Sequence, residues 1–131
     1  HKMDLSTIDL TKSAEAGADL TLEHPVTGEP LDIIITLAGT DSASYRTKQK
    51  EIQNKRITKM ARGKKADFST TDDEACDILA GCTLGWVGIL ESGKDVEFSV
   101  SNAKDLYTKH FWIREQVDAF MGDRANFFSS V

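Results

Sequence analysis

The feature that most constrains this chain is an alternation in which Leu31, Ile33, Ile35 and Leu37 all fall on one side of an extended segment. Successive side chains on a strand point to opposite faces, so residues 31–37 bury one apolar face as a β-strand and fit no helix. Leu20 and Leu22 alternate with polar neighbours in the same way, which makes residues 18–23 a second strand. Between the two lies His24-Pro25-Val26-Thr27-Gly28-Glu29-Pro30, a run with turn chemistry throughout. The segment therefore reads as a β-hairpin. A lone hairpin is marginal in water, so its apolar face must pack on helices or pair with another chain.

The rest of the sequence supplies helices. Gly39 ends the second strand, and Thr40 or Asp41 can cap a helix running to about residue 62. Its apolar content is thin, with Ala43, Tyr45, Ile52, Ile57 and Met60 scattered among bases. A helix that polar is solvent-bridging or completed by a partner. Residues 63–69 read as a linker, and Thr71-Asp72-Asp73-Glu74 has the form of a capping box that opens another helix. Ala75, Ile78, Leu79, Cys82 and Trp86 then recur at i, i+3, i+4, i+7 and i+11, the clearest core stripe in the chain, before Gly85 and Gly88 end it. Val87, Ile89 and Leu90 lead into the turn Glu91-Ser92-Gly93-Lys94. Ser99 or Ser101 can cap a short helix carrying Val100, Ala103, Leu106 and Tyr107, and a last helix from near Phe111 sets Ile113, Val117, Phe120 and Met121 on one face.

The expected fold class is α+β, mostly α-helical, with an amino-terminal β-hairpin followed by about four helices, the Trp86 and Trp112 helices packing together in the core. At 131 residues one domain over residues 3–131 is expected, with residues 3–17 as a frayed helix or flexible arm. His1-Lys2 ahead of Met3 reads as a tag remnant and is set aside. No apolar run reaches the ~20 residues that span a bilayer, and no signal-peptide core is seen, so a cytosolic protein without a membrane partner is expected. The two cysteines, Cys76 and Cys82, match no zinc or redox spacing and read as buried free thiols.

Net charge is −5, but unevenly spread: residues 46–65 hold nine bases and one acid, the remainder seven bases and twenty acids. So polarised a chain can attract copies of itself or an acidic partner across a Debye length of ~8 Å. The candidate protein-binding residues are Arg46, Lys48, Lys55, Arg56, Lys59 and Arg62. Clustered bases are also the footprint of a phosphate-backbone binder. Against that reading, stacking aromatics are lacking apart from Tyr45, and the acidic remainder repels nucleic acid. Self-association is expected, because hairpin edge and basic helix both lack apolar partners within one chain.

Nothing in the sequence points to catalysis. It carries no nucleophile elbow, phosphate-binding glycine loop, metal-binding His pair or dinucleotide fingerprint. His24 lies in a turn and His110 joins two helices, and the acids Asp72, Asp73 and Glu74 suit the first turn of a helix. No catalytic, metal or cofactor residue is therefore assigned, and no enzyme is expected.

Several segments have a family likeness. Cys82-Thr83-Leu84-Gly85-Trp86-Val87-Gly88-Ile89, Val96-Glu97-Phe98-Ser99, Asn102-Ala103, Leu106-Tyr107, Trp112-Ile113-Arg114-Glu115-Gln116-Val117 and Asp123-Arg124-Ala125-Asn126-Phe127-Phe128 follow in order, and His24-Pro25-Val26-Thr27-Gly28-Glu29-Pro30 joins them. The pattern resembles tail assembly chaperones of long-tailed, non-contractile, lambda-like bacteriophages. The resemblance implies a late viral protein of the host cytoplasm, absent from the mature virion. It would bind the tape-measure protein, keep that protein's helical apolar surfaces soluble, and help recruit the tail-tube protein through a longer frameshifted form, with this chain as the short form. Two other classes remain open at this point: a small nucleic-acid-binding regulator acting through residues 46–65, and a structural head-tail connector.

Overall fold

The computed structural model describes residue 2, residues 4–63 and residues 68–127. Lys64 and Lys65 of the basic run, most of the expected linker, and the ending from Phe128 lie outside the described residues. The fold is α+β and 54% helical, which bears out the expected class, although a helix precedes the hairpin and three strands beyond it were not foreseen.

The hairpin is β1 (Ala18–Glu23) and β2 (Pro30–Leu37), antiparallel, with Leu20 opposite Ile35 and Ala18 opposite Leu37. Its tip is closed by His24, whose Nδ1 accepts hydrogen bonds from the backbone N–H of Val26 (3.1 Å) and Thr27 (3.2 Å). The expected inward face is the real one: Leu22, Ile35 and Leu37 are buried, and Leu20, Leu31 and Ile33 pack against them.

Ahead of the hairpin, α1 (Leu10–Ala16) docks rather than frays. Ala14 is buried, its carbonyl accepts from the Gly39 N–H, and Glu15 accepts from the Ala43 N–H. After the hairpin comes α2 (Ala43–Ala61), which is capped by neither Thr40 nor Asp41. Ser42 is the cap: its Oγ accepts from the Tyr45 N–H and donates to the Gly39 carbonyl at 2.6 Å. Asp41 is instead held by a two-pronged pairing with Arg124, Nε to Oδ2 at 2.8 Å and Nη2 to Oδ1 at 3.0 Å, which ties the carboxy-terminal turn to the end of β2.

The largest correction concerns Trp86. The helix α3 (Phe68–Gly81) begins before the expected capping box, placing Thr71 inside it, and stops at Gly81. After the single residue Cys82 the chain becomes β3 (Thr83–Val87), which pairs antiparallel with β2 and completes a sheet of order β1-β2-β3. No Trp86 helix therefore exists to pack on the Trp112 helix. Trp86 and Trp112 do flank the same core, the Trp86 Nε1 donating to the Val96 carbonyl at 2.8 Å with Phe98 edge-on to its ring. Two forces favour the strand. Thr83 and Val87 are β-branched and Gly85 is a poor helix former, and β2 would otherwise carry an unpaired edge into a buried setting. A bulge at Leu84 adjusts the register, since Thr36 faces Gly85 while Leu37 faces Thr83.

A short hairpin, β4 (Leu90–Glu91) with β5 (Lys94–Asp95), leads into α4 (Val100–Lys109) and α5 (Phe111–Gly122). Ser99 caps α4 by accepting from the Asn102 N–H. Ala103, Leu106 and Tyr107 of α4 and Ile113, Val117 and Met121 of α5 close the core against α3 and the sheet, whereas Val100 is exposed. Both cysteines are free and buried, as expected. One polar chain crosses this core. The Thr83 hydroxyl lies 2.8 Å from the Leu79 carbonyl and 2.7 Å from the Tyr107 hydroxyl. Thr83 gives its single proton to that carbonyl, so the buried phenol of Tyr107 is the donor to Thr83.

Gly88 is required where β3 ends. It has φ +86, and a Cβ there would come to 2.0 Å of the Asp32 carbonyl oxygen on β2. Gly88→Ala should cost ~1–3 kcal/mol for the left-handed backbone alone, and Leu79→Ala ~2–5 kcal/mol for the cavity it leaves in the core. Urea midpoints unchanged in both variants would contradict this packing.

Burial also sets an alkaline limit. It pushes the Cys82 thiol up to about 11, with Lys48 partly opposing, and the Tyr107 phenol up to about 12. Both groups keep their protons in the fold at a pH where the unfolded chain has lost them. Their contribution is therefore intact below about pH 9 and lost as pH climbs to 11–12. Unfolding midpoints measured from pH 8 to 12 should fall across that window, and Tyr107→Phe should flatten the upper part of the fall.

Candidate protein-interaction surface

Among the described residues the buried polar side chains are few, Ser42 and Thr83, whereas the basic helix α2 is mostly exposed. At 100° per residue, Lys48, Ile52 and Arg56 share one side of α2. That side meets α3. Ile52 is the buried anchor, and the methylenes of Lys48 lie over Gly81, where a Cβ would come to 2.6 Å of Lys48 Cε. The Lys48 ammonium reaches Glu51 at 3.5 Å and Asp77 at 3.9 Å, while Arg56 Nε donates to Glu74 at 2.8 Å. Two of the six candidate binding residues, Lys48 and Arg56, are thus engaged within the chain. The Glu74 contact holds the Arg56 guanidinium above its ordinary range, first through the hydrogen bond and then through charge.

Glu74 belongs to a set that sequence reading treated only as helix-start acids. Asp72 accepts from Arg114 of α5 at 2.8 Å, Asp73 lies 3.1 Å from Lys104 of α4, and Glu74 takes Arg56 of α2. Consecutive residues on a helix fan out by 100°, so three neighbouring carboxylates can each reach a different helix. Asp72 and Asp73 are largely exposed, so those two pairs orient more than they stabilise.

The other bases of α2 are bare. Arg46, Lys50, Lys55, Lys59 and Arg62 are exposed and form no ion pair among the described residues. At 100° per residue Lys55, Lys59 and Arg62 turn within about 80° of Ile52, and only Arg46 and Lys50 lie on the opposite side. Arg46, Lys50 and Ile57 fall within about 40° of one line along the helix, pointing away from α3. Ile57 is 64% exposed and nearby Met60 72%. Lys50 is not among the six candidate binding residues, and Ile57 was read only as part of a thin apolar content, although their i, i+7 spacing was there to read.

A second surface is the outer face of the sheet. Asp19, Thr21 and Glu23 of β1, Asp32, Ile34 and Thr36 of β2, and Leu84 and Val87 of β3 point away from the core. Ile34 lies directly opposite Val87, and Val87 is 61% exposed. The three strands carry no basic residue. At the end of β1, Gln116 of α5 grips the Glu23 backbone, its Oε1 accepting from the N–H at 2.9 Å and its Nε2 donating to the carbonyl at 2.8 Å.

His24 and His110 each make a contact within the fold. His24 closes the hairpin, and His110 Nε2 sits 2.9 Å from Glu91 Oε1 in a cleft of about 360 Å3 lined by Ile33, Leu90 and Trp112. That contact, then Lys109, holds the Glu91 carboxyl below its ordinary value. Among the described residues no group of three or more His, Cys, Asp or Glu is placed to hold a metal ion, and no helix is long and apolar enough to cross a membrane. Comparison with known families, with curated proteins and with solved structures finds no match in any of the three.

The two roles of α2 bases are separable. Arg56→Glu sets a carboxylate against Glu74 and should lower the melting temperature, by less as salt rises; Lys55→Glu and Lys59→Glu should leave it nearly unchanged. Equal losses for all three in thermal melts would contradict the division.

Proposed function

We propose that this chain is a tail assembly chaperone of a long-tailed, non-contractile bacteriophage. It works without catalysis in the host cytoplasm, binds the tape-measure protein, keeps that protein's helical apolar surface soluble, and helps recruit tail-tube subunits through a longer frameshifted form. The observation that carries the reading is the ordered family resemblance. Its segments are spread over the hairpin tip, β3, the approach to α4, α4 itself, α5 and the turn after it. Supporting it from the surface, the chain displays an exposed basic helix carrying Ile57 and Met60 and a bare sheet face, which suit a protein that works by contact with other proteins.

Co-expression tests this directly. The tape-measure protein from the same genome should be mostly insoluble alone, become soluble with this chain, and copurify with it, while purified virions contain none of the chain by mass spectrometry. Undiminished aggregation without copurification, or a stoichiometric presence in virions, would overturn the proposal.

A further inference from the structure

The two bare surfaces match each other. The outward stripe of α2 presents Arg46 and Lys50 at one end and Ile57 at the other. On the sheet, the cross-strand pair Ile34 and Val87 forms an exposed apolar centre, with Asp32 one outward-facing position toward the hairpin tip and Glu23, opposite Pro30, one position further. A sheet needs a second layer over an apolar face, and a helix is one of the two elements that can supply it. The charges agree in sign: the stripe carries bases and no acid, and the face carries acids and no base. The spacing agrees as well. Lys50 precedes Ile57 by about 10 Å along the helix at ~1.5 Å per residue. Asp32 precedes Ile34 by about 7 Å along the strand at ~3.4 Å per residue, and the reach of a lysine spans the difference. Within one chain the two surfaces cannot meet, because α2 turns its Ile52 side to α3 and its stripe outward.

We propose that the outward stripe of α2 docks on the outer face of the β1-β2-β3 sheet of a second copy of this chain. The contact is between unlike surfaces, so each copy still offers a free helix at one end and a free sheet at the other, and association continues head to tail. It does not rest on the tape-measure reading: either can fail alone.

The test is charge exchange followed by analytical ultracentrifugation. One variant carries Arg46→Glu with Lys50→Glu, the other Glu23→Lys with Asp32→Lys, and melting curves check that both fold. The wild type should associate reversibly, less so at high salt. Each variant alone should associate at least about tenfold more weakly, since like charges now face each other. A 1:1 mixture should recover wild-type association, because the acidic helix of one meets the basic sheet of the other. A mixture no tighter than its separate components would overturn the proposal, as would a wild type that stays monomeric at every concentration. So would a helix variant that loses nucleic-acid or client binding while associating like the wild type.

Discussion

The strand β2 has Ile35 and Leu37 wholly buried, and a backbone so placed must have hydrogen-bond partners on both edges. Much of the architecture answers that requirement. The hairpin supplies β1 on one side at little topological cost. The other edge is filled by β3, which arrives one residue after α3, so the direction of α3 is fixed by the sheet it feeds. The position of α3 in turn decides where α4 and α5 close the core. Thr83 sits at this junction of helix and strand. Its hydroxyl joins α3, β3 and α4 through Leu79 and Tyr107, so the polar atoms brought in by the junction are satisfied by the elements that meet there.

The sequence was legible where one period governed a segment alone. The alternation of β1 and β2, the turn at His24, a cap of α4 at Ser99 or Ser101 and the buried face of α5 could all be read without a structure. It misled where two periods coincide. Trp86 falls at i+11 from Ala75, on the helical stripe, yet it belongs to a strand whose partner lies some fifty residues earlier in the chain. Local spacing carries no record of such a partner. The cap of α2 shows the same limit at smaller scale. Expected at Thr40 or Asp41, it is Ser42, while Asp41 is paired with Arg124, over eighty residues later.

The basic helix was visible as a charge count but not as a surface. A count treats nine bases as one group, whereas the helix turns Lys48 and Arg56 toward carboxylates of α3 and leaves Arg46 and Lys50 facing outward. The inward bases serve the fold and the outward ones remain for contacts beyond it. What separates them is the angle at which Ile52 anchors the helix, a tertiary fact. The acids at 72–74 show the converse. They look like a helix-start preference, and become three links to three other helices once α3 is surrounded.

The grip of Gln116 on the Glu23 backbone bears on how a sheet with open edges stays out of trouble. A strand from another molecule seeking to extend β1 would find its last rung already occupied by a side chain that imitates a peptide group, donor and acceptor together. Exposed strand edges are the common route to fibrous aggregation. By plugging the edge at the hairpin end, the molecule discourages lengthening of the sheet in its own plane and leaves its broad side as the open direction. Contacts made there are between side chains, which charge and shape can select, whereas backbone pairing would accept almost any strand.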